Sequence, residues 1–261
     1  DLKHVVYSAS IMEFFSDEEQ LEWNHSYSTS VLMSNLIKDN ELPNVGNLPM
    51  AMIMHDLGKV VLRRFSPKKY KVALMHASAD KIPVYRIEDA MLQINHSEVG
   101  AMLLEKWDSA EEIVKPVSYH HCEDVPKDFI FETALVQFVN WVDCSVRGIR
   151  CFEPARELMN AAGIEEIDRD YWLHYQEELI AALEGGRPPQ TMKTSGKLQR
   201  KTGAIPPDNG QQAPSPHPGK PAQQGKPHPA PTSPVKRPEE SKPQPQAPPP
   251  EAPAKIGRAH V

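Results

Sequence analysis

The 261 residues split sharply in composition: 19 of the 26 prolines follow Gly186, residues 1–186 carry 17 Lys+Arg against 31 Asp+Glu, and residues 187–261 carry 12 against 4. Affinity for nucleic acid comes largely from neutralising phosphates with Lys and Arg, so an acidic body excludes specific nucleic-acid binding, and the basic charge of the tail is dilute. No run of about 18 apolar residues is available for a membrane span, no signal-like segment opens the chain, and three cysteines without a C-x-x-C spacing read as free thiols of a reducing cytoplasm.

Helix signals dominate the first 186 residues, which are long enough to bury one core without staples. Residues 1–15 place Val5, Val6, Ala9, Met12 and Phe15 at helical spacing, as if the chain were entered part-way along a pattern, which predicts that an N-terminal portion precedes it. Asp17 with Gln20 offers a relaxed capping box for a helix to about Asn40, whose inward stripe is Leu21, His25, Ser28, Leu32 and Leu36. Pro49 suits the first turn of a helix running to about Phe65, and this helix carries His55, Asp56 and Lys59 among apolar residues. Further helices are expected from Pro67 to about Ala79, from Pro83 to Ile94 and from Ser97 to Trp107, with His96 at the edge of the last and Gly100 allowing a close helix approach. Ser109 to Glu112 reads as a capping box ahead of a helix that Pro116 should kink and that leads to His120 and His121. A long helix from Asp128 carries Asp143 four residues after Val139, on the side that buries apolar groups.

Residues 151–186 read as a helical extension, Pro154–Ala162 and Asp168–Glu184, each closed by glycine. Beyond Gly186, residues 187–254 are rich in Pro, Gln, Lys, Ala and Ser and cannot offset the entropy of ordering, so a disordered proline-rich tail is expected. Stretches such as Pro245–Pro249 could meet an SH3-like groove and make the tail an adaptor, though such matches arise by chance in proline-rich linkers. The closing residues 255–261 resemble the translation of a sequencing adapter and carry no functional weight. Strand signals are nearly missing, so the fold class is all-α, a helical bundle followed by that tail.

A histidine and a carboxylate side by side in an apolar stretch are costly to bury without a partner. Each of His25, His55, His96, His120 and His121 taken singly is more often a hydrogen-bonded core residue than a ligand. With Asp56 and Asp143 they make a mixed imidazole and carboxylate set, which suits Fe, Mn or Zn, as one or two ions, rather than calcium. An aspartate between two ions can bridge them, and paired ions can activate water for attack at phosphorus. Trp107, Trp141 and the methionines Met50, Met52 and Met54 read as core packing, and Cys122 and Cys144, beside His121 and Asp143, as buried inert thiols before redox groups.

The strings LEWNHS at 21–26, MHDLGKVVL at 54–62, NHSEVGAMLLEKW at 95–107 and VSYHH at 117–121 resemble the HD superfamily and, within it, the HDOD branch of HD-related output domains. The resemblance spans about residues 1–150 and implies an all-helical bacterial signalling domain, usually preceded by a helical lobe, that works through contacts with signalling proteins. In catalytic HD relatives the positions matching His25, His55, Asp56, His96, His120, His121 and Asp143 hold metal, and the position matching Lys59 lies near the substrate phosphate. Two functions therefore stand open: a regulatory output domain, or a metal-dependent phosphohydrolase of nucleotides or cyclic nucleotides with Asp56 and Lys59 as catalytic groups. Cys122-Glu-Asp-Val-Pro126 stands where the branch that cleaves cyclic-di-GMP has a glycine-rich loop, which argues against that substrate.

Overall fold

Apolar stripes repeating every three to four residues can be buried only against one another, and in the computed structural model they close around one interior. The described residues are Phe15, 19–185 and 196–200; the helix expected over 1–15, the cap at Asp17, the tail other than 196–200 and the adapter-like end lie outside them. In chain order the elements are α1 (Gln20–Asp39), α2 (Leu48–Met54), α3 (Leu57–Phe65), α4 (Pro67–Asp80), α5 (Val84–Leu92), α6 (His96–Lys106), α7 (Glu111–Tyr119), a 3₁₀ turn (Lys127–Phe129), α8 (Ile130–Val146), α9 (Arg156–Ala161), β1 (Ile164–Ile167), α10 (Arg169–Glu184) and β2 (Leu198–Arg200). The fold is a helical bundle. α1 packs on α2 and α8, α3 on α6, α6 on α7, and α10 covers α1 and α8. Leu32, Leu36, Leu48, Met52, Leu135, Val139 and Trp172 are fully buried between them, and no described helix is long and apolar enough to cross a membrane.

Five local expectations need correction. The helix expected from Pro49 to Phe65 is two helices, broken where His55 and Asp56 turn the chain; Asp56 (φ −100°, ψ 4°) leaves helical geometry and accepts at its carbonyl from Lys59 N at 2.9 Å. The apolar pattern reads through the break because α2 is buried nearly all round, so its residues set no phase that the turn would interrupt. Leu21, at the first turn of α1, points to solvent at 75 % exposure, while the rest of its stripe is buried. α7 starts after Ala110 with no side-chain cap. A reciprocal capping box instead opens α6, where Asn95 accepts from Ser97 N and Glu98 N, and Glu98 accepts from Asn95 N.

The glycine that permits the closest helix approach is Gly58, not Gly100. A Cβ on Gly58 would lie 1.9 Å from the carbonyl oxygen of His96, whereas one on Gly100 would make ordinary contacts at 3.6 Å or more. Finally, residues 196–200 lie in the segment expected to be disordered, yet β2 pairs antiparallel with β1. The Asn40 side chain clamps this segment, donating to Gly196 O at 3.1 Å and accepting from Leu198 N at 2.7 Å. Two strands of four and three residues are too short to leave a readable alternation.

Candidate metal centre

Five elements bring the chemistry together. His25 comes from the second turn of α1, His55 and Asp56 from the break between α2 and α3, His96 from the first residue of α6, His120 from the end of α7, and His121 from the turn beyond. The break is useful geometry, because a continuous helix would send adjacent residues 55 and 56 to different sides, about 100° apart.

Asp56 is the focus. Its Oδ2 lies 3.5 Å from Nε2 of both His25 and His55, and its Oδ1 lies 3.2 Å from His96 Nε2 and 3.8 Å from His120 Nε2. His96 and His121 meet Nε2 to Nε2 at 3.0 Å, and His25 and His55 at 3.1 Å. Four of the rings are oriented from behind through Nδ1, to Asp143 Oδ2 (2.5 Å, His25), Met52 O (2.7 Å, His55), Glu88 Oε2 (2.6 Å, His96) and Val117 O (2.5 Å, His120). An oxygen acceptor at Nδ1 keeps the hydrogen there and turns the Nε2 lone pair inward, the arrangement that metal-binding histidines adopt. His121 is fixed by stacking on Tyr85, with ring centroids 4.2 Å apart.

Two triads within this set, His25–His55–Asp56 and His96–His120–His121, each offer donor atoms within 4.8 Å of one another. Asp56 Oδ1 and His120 Nε2 are buried and, among the described residues, have no hydrogen-bond partner. Buried polar atoms left unpaired are rare because each forgoes its hydration. Nitrogen-rich triads sharing one carboxylate fit a transition ion such as Zn, Fe or Mn.

Electrostatics follow from burial and neighbours. Burial pushes the His55 imidazole down to about 4, and burial with adjacent imidazoles holds His120 and His121 well below the ordinary histidine range, which keeps all three neutral. For Asp56 burial opposes the charge, but His55, the Lys59 ammonium and His96 hold the carboxyl well below the usual range. Lys59 Nζ donates to Asp56 Oδ2 at 2.6 Å, and this contact overcomes burial to push the ammonium up. Lys59 thus rests on the carboxylate, where an ion would compete with it.

Of the residues expected in the site, His25, His55, Asp56, His96, His120, His121 and Lys59 come together, and Asp143 stands behind His25. Both oxygens of Asp143 are engaged: Oδ2 by His25 and by Arg147 Nε at 2.7 Å, Oδ1 by Ser28 Oγ at 2.6 Å and by Gln176 Nε2. Burial opposes its charge, yet the His25, Ser28 and Arg147 contacts draw its carboxyl down to about 2. In this arrangement Asp143 orients a ligand rather than facing the centre. Glu88 plays the matching part for His96 and was missed in the sequence. It is fully buried, accepts from His96 N at 2.8 Å and from Tyr70 Oη at 3.1 Å, and could have been found by its place four residues after Val84 on the inward side of α5.

Two hollows reach the edge of the centre. One, of about 440 Å³, is bordered by Lys59, Tyr85, His121, Asn140, Cys144 and Cys151. The other, of about 170 Å³, is bordered by His120, His121, Tyr85 and Arg86 among others. His25, His55, Asp56 and His96 border neither.

Comparison with known proteins agrees with this architecture. Residues 1–123 match the model of the HDOD domain. An uncharacterized protein of Treponema pallidum (strain Nichols) is 24 % identical over 145 residues, which is 53 % of this chain and 28 % of the relative, so the chain spans under a third of that protein's length. Among solved structures, a protein from Marinobacter aquaeolei VT8 described as a candidate signal transduction protein is 19 % identical, with a TM-score of 0.51 over 65 % of this chain and 37 % of that one. An HDOD domain protein of unknown function from Geobacter sulfurreducens is 22 % identical, with a TM-score of 0.45 over 63 % and 58 %. A candidate phosphohydrolase from Shewanella amazonensis SB2B is 17 % identical, with a TM-score of 0.46 over 61 % and 58 %.

Proposed function

We propose that this chain is a regulatory HDOD output domain of the cytoplasm, that its histidine and aspartate centre holds one or two transition ions, and that it passes a signal on through contacts with protein partners. The observation that carries the metal assignment is the pair of buried, unpartnered atoms Asp56 Oδ1 and His120 Nε2 at the focus of imidazoles already aimed by Asp143, Met52, Glu88 and Val117. His25, His55, Asp56 and Asp143 would hold or orient an ion on one side, and His96, His120, His121 and Glu88 on the other. The regulatory reading is favoured by enclosure: most of the centre is sealed by helices, and Lys59, which a phosphate would need, is held by Asp56.

A second reading, a metal-dependent phosphohydrolase of a nucleotide or cyclic nucleotide, is favoured by the 440 Å³ cleft that Lys59 and His121 border. A bound ion supplies Lewis acidity there. In that reading Asp56 anchors the site, and Lys59, released from Asp56, steadies the phosphate from the cleft wall. The two readings separate in turnover assays on nucleotides and cyclic dinucleotides with Zn, Mn or Fe added, comparing wild type with Asp56→Ala. The regulatory reading expects no turnover that depends on Asp56. Turnover abolished by the substitution would transfer the assignment to the phosphohydrolase.

A further inference from the structure

Outside the ligand set, two thiols meet on the wall of the larger cleft. Cys144 sits in the last turn of α8, where Ile149 N donates back to Cys144 O at 2.8 Å and Gly148, at φ +68°, reverses the chain. This reversal brings Cys151 beside Cys144. The Cys144 thiol donates to Asn140 Oδ1 at 3.4 Å, and Asn140 Nδ2 donates to Cys151 Sγ at 3.7 Å, so one amide touches both sulfurs. Cys144 is buried and Cys151 is half-buried, and both border the hollow that Lys59 and His121 share. A buried thiol with no reactive partner would be inert packing; two thiols held together by one amide, one of them open to solvent, are a pre-positioned pair.

We propose that Cys144 and Cys151 form a disulfide site oxidised by a hydroperoxide, and that the bond fixes the α8 turn where it borders the cleft. The half-buried Cys151 sulfur attacks the peroxide oxygen as its thiolate; the O–O bond breaks, Cys151 becomes a sulfenic acid, and the leaving oxygen takes the thiol proton. The Cys144 sulfur then attacks Cys151 sulfur, the S–O bond breaks, and the oxygen leaves as water with the Cys144 proton. With hydrogen peroxide, two thiols and one peroxide thus give one disulfide and two waters, and two electrons pass from sulfur to oxygen. The turn of residues 145–150, which carries Gly148, Ile149 and Arg150 on the cleft wall, is then tied at both ends.

The site is tested on the full chain, reduced, desalted and treated with hydrogen peroxide, by thiol titration and non-reducing peptide mapping. The expected result is loss of two of the three thiols, one Cys144–Cys151 cross-linked peptide, and full recovery with dithiothreitol. Cys122→Ser should keep the cross-link and Cys151→Ser should lose it; Cys151 is the half-buried member, so this variant tests the pair without opening the core. A Cys122 cross-link, oxidation of Cys151 to a sulfinic acid without a cross-link, or three thiols that stay unreactive in the folded protein would each overturn the proposal.

Discussion

His25 and His96 approach different oxygens of Asp56, and each is backed by a buried carboxylate, yet the two carboxylates are balanced by different means. Asp143, on α8, collects four donors from α1, α10 and the turn after α8, the Arg147 cation among them. Glu88 collects its donors from Tyr70 and from His96 itself, and no described Lys or Arg hydrogen-bonds it. Glu88 therefore has no partner cation in hydrogen-bond contact like Arg147, and its carboxylate pushes the His96 imidazole up against the effect of burial. The His25 side is a structural network that includes a ligand; the His96 side is a ligand with one carboxylate behind it.

The largest expected effect breaks the first of these. Asp143→Ala would strand Arg147, Ser28, Gln176 and His25 together, and losing one partner of a buried charge network costs about 3–5 kcal/mol, read as a lower midpoint in urea unfolding. Glu88→Ala should cost less, about 1–3 kcal/mol, because it leaves only the His96 and Tyr70 donors unpaired. A greater loss from Glu88 than from Asp143 would reverse the comparison. Gly58→Ala tests how the His96 side is seated: a Cβ 1.9 Å from His96 O must force α3 and α6 apart, at about 3 kcal/mol, while Gly100→Ala should stay under about 1 kcal/mol.

Acidification acts through the same centre. For His55, His120 and His121 the folded values lie below the ordinary 6.5, so below that pH the unfolded chain takes up protons that the folded chain refuses. The His55 contribution is whole above about pH 6.5 and is lost as pH falls toward about 4, at about 1.4 kcal/mol per pH unit, and those of His120 and His121 run in the same sense. His96, pushed up, works in the opposite sense, and the expected net outcome is lower stability at acid pH. Unfolding midpoints of chelator-treated protein at pH 7.5 and 5 check it; equal midpoints would contradict burial of neutral imidazoles. The smallest effect lies at the tail: truncation after Arg200 should leave stability within about 0.5 kcal/mol, and truncation after Gly185, which removes β2, should cost about 1 kcal/mol or more.

The five histidines, Asp56 and Asp143 were legible because each sits on an apolar stripe or in a string of recognisable spacing. Asp143 was read from its place after Val139, yet its role behind His25 needed Arg147, Ser28 and Gln176, whose meeting depends on tertiary packing of α1, α8 and α10. Glu88 obeys the same spacing rule, but α5 is short and Glu88 is its one buried residue, so no apolar stripe marks the inward side. The break at His55–Asp56 was hidden for a different reason, since α2 is apolar nearly all round and periodicity has no phase there for a turn to interrupt. The β ribbon escaped because its strands pair 31 to 36 residues apart, from Ile167 with Leu198 to Ile164 with Arg200, and neither strand carries a signal of its own.

The central claim is that Asp56 and the imidazoles around it form a metal centre. Metal content per chain, measured by mass spectrometry of the elements in protein purified without chelators and then offered Zn, Mn and Fe, tests it most directly. The account predicts at least one tightly held ion per chain in wild type, with that ion lost in Asp56→Ala and weakened in Glu88→Gln, whose neutral amide orients His96 less firmly. Wild-type protein that holds no ion under any of these conditions, or the same content in Asp56→Ala, would contradict it.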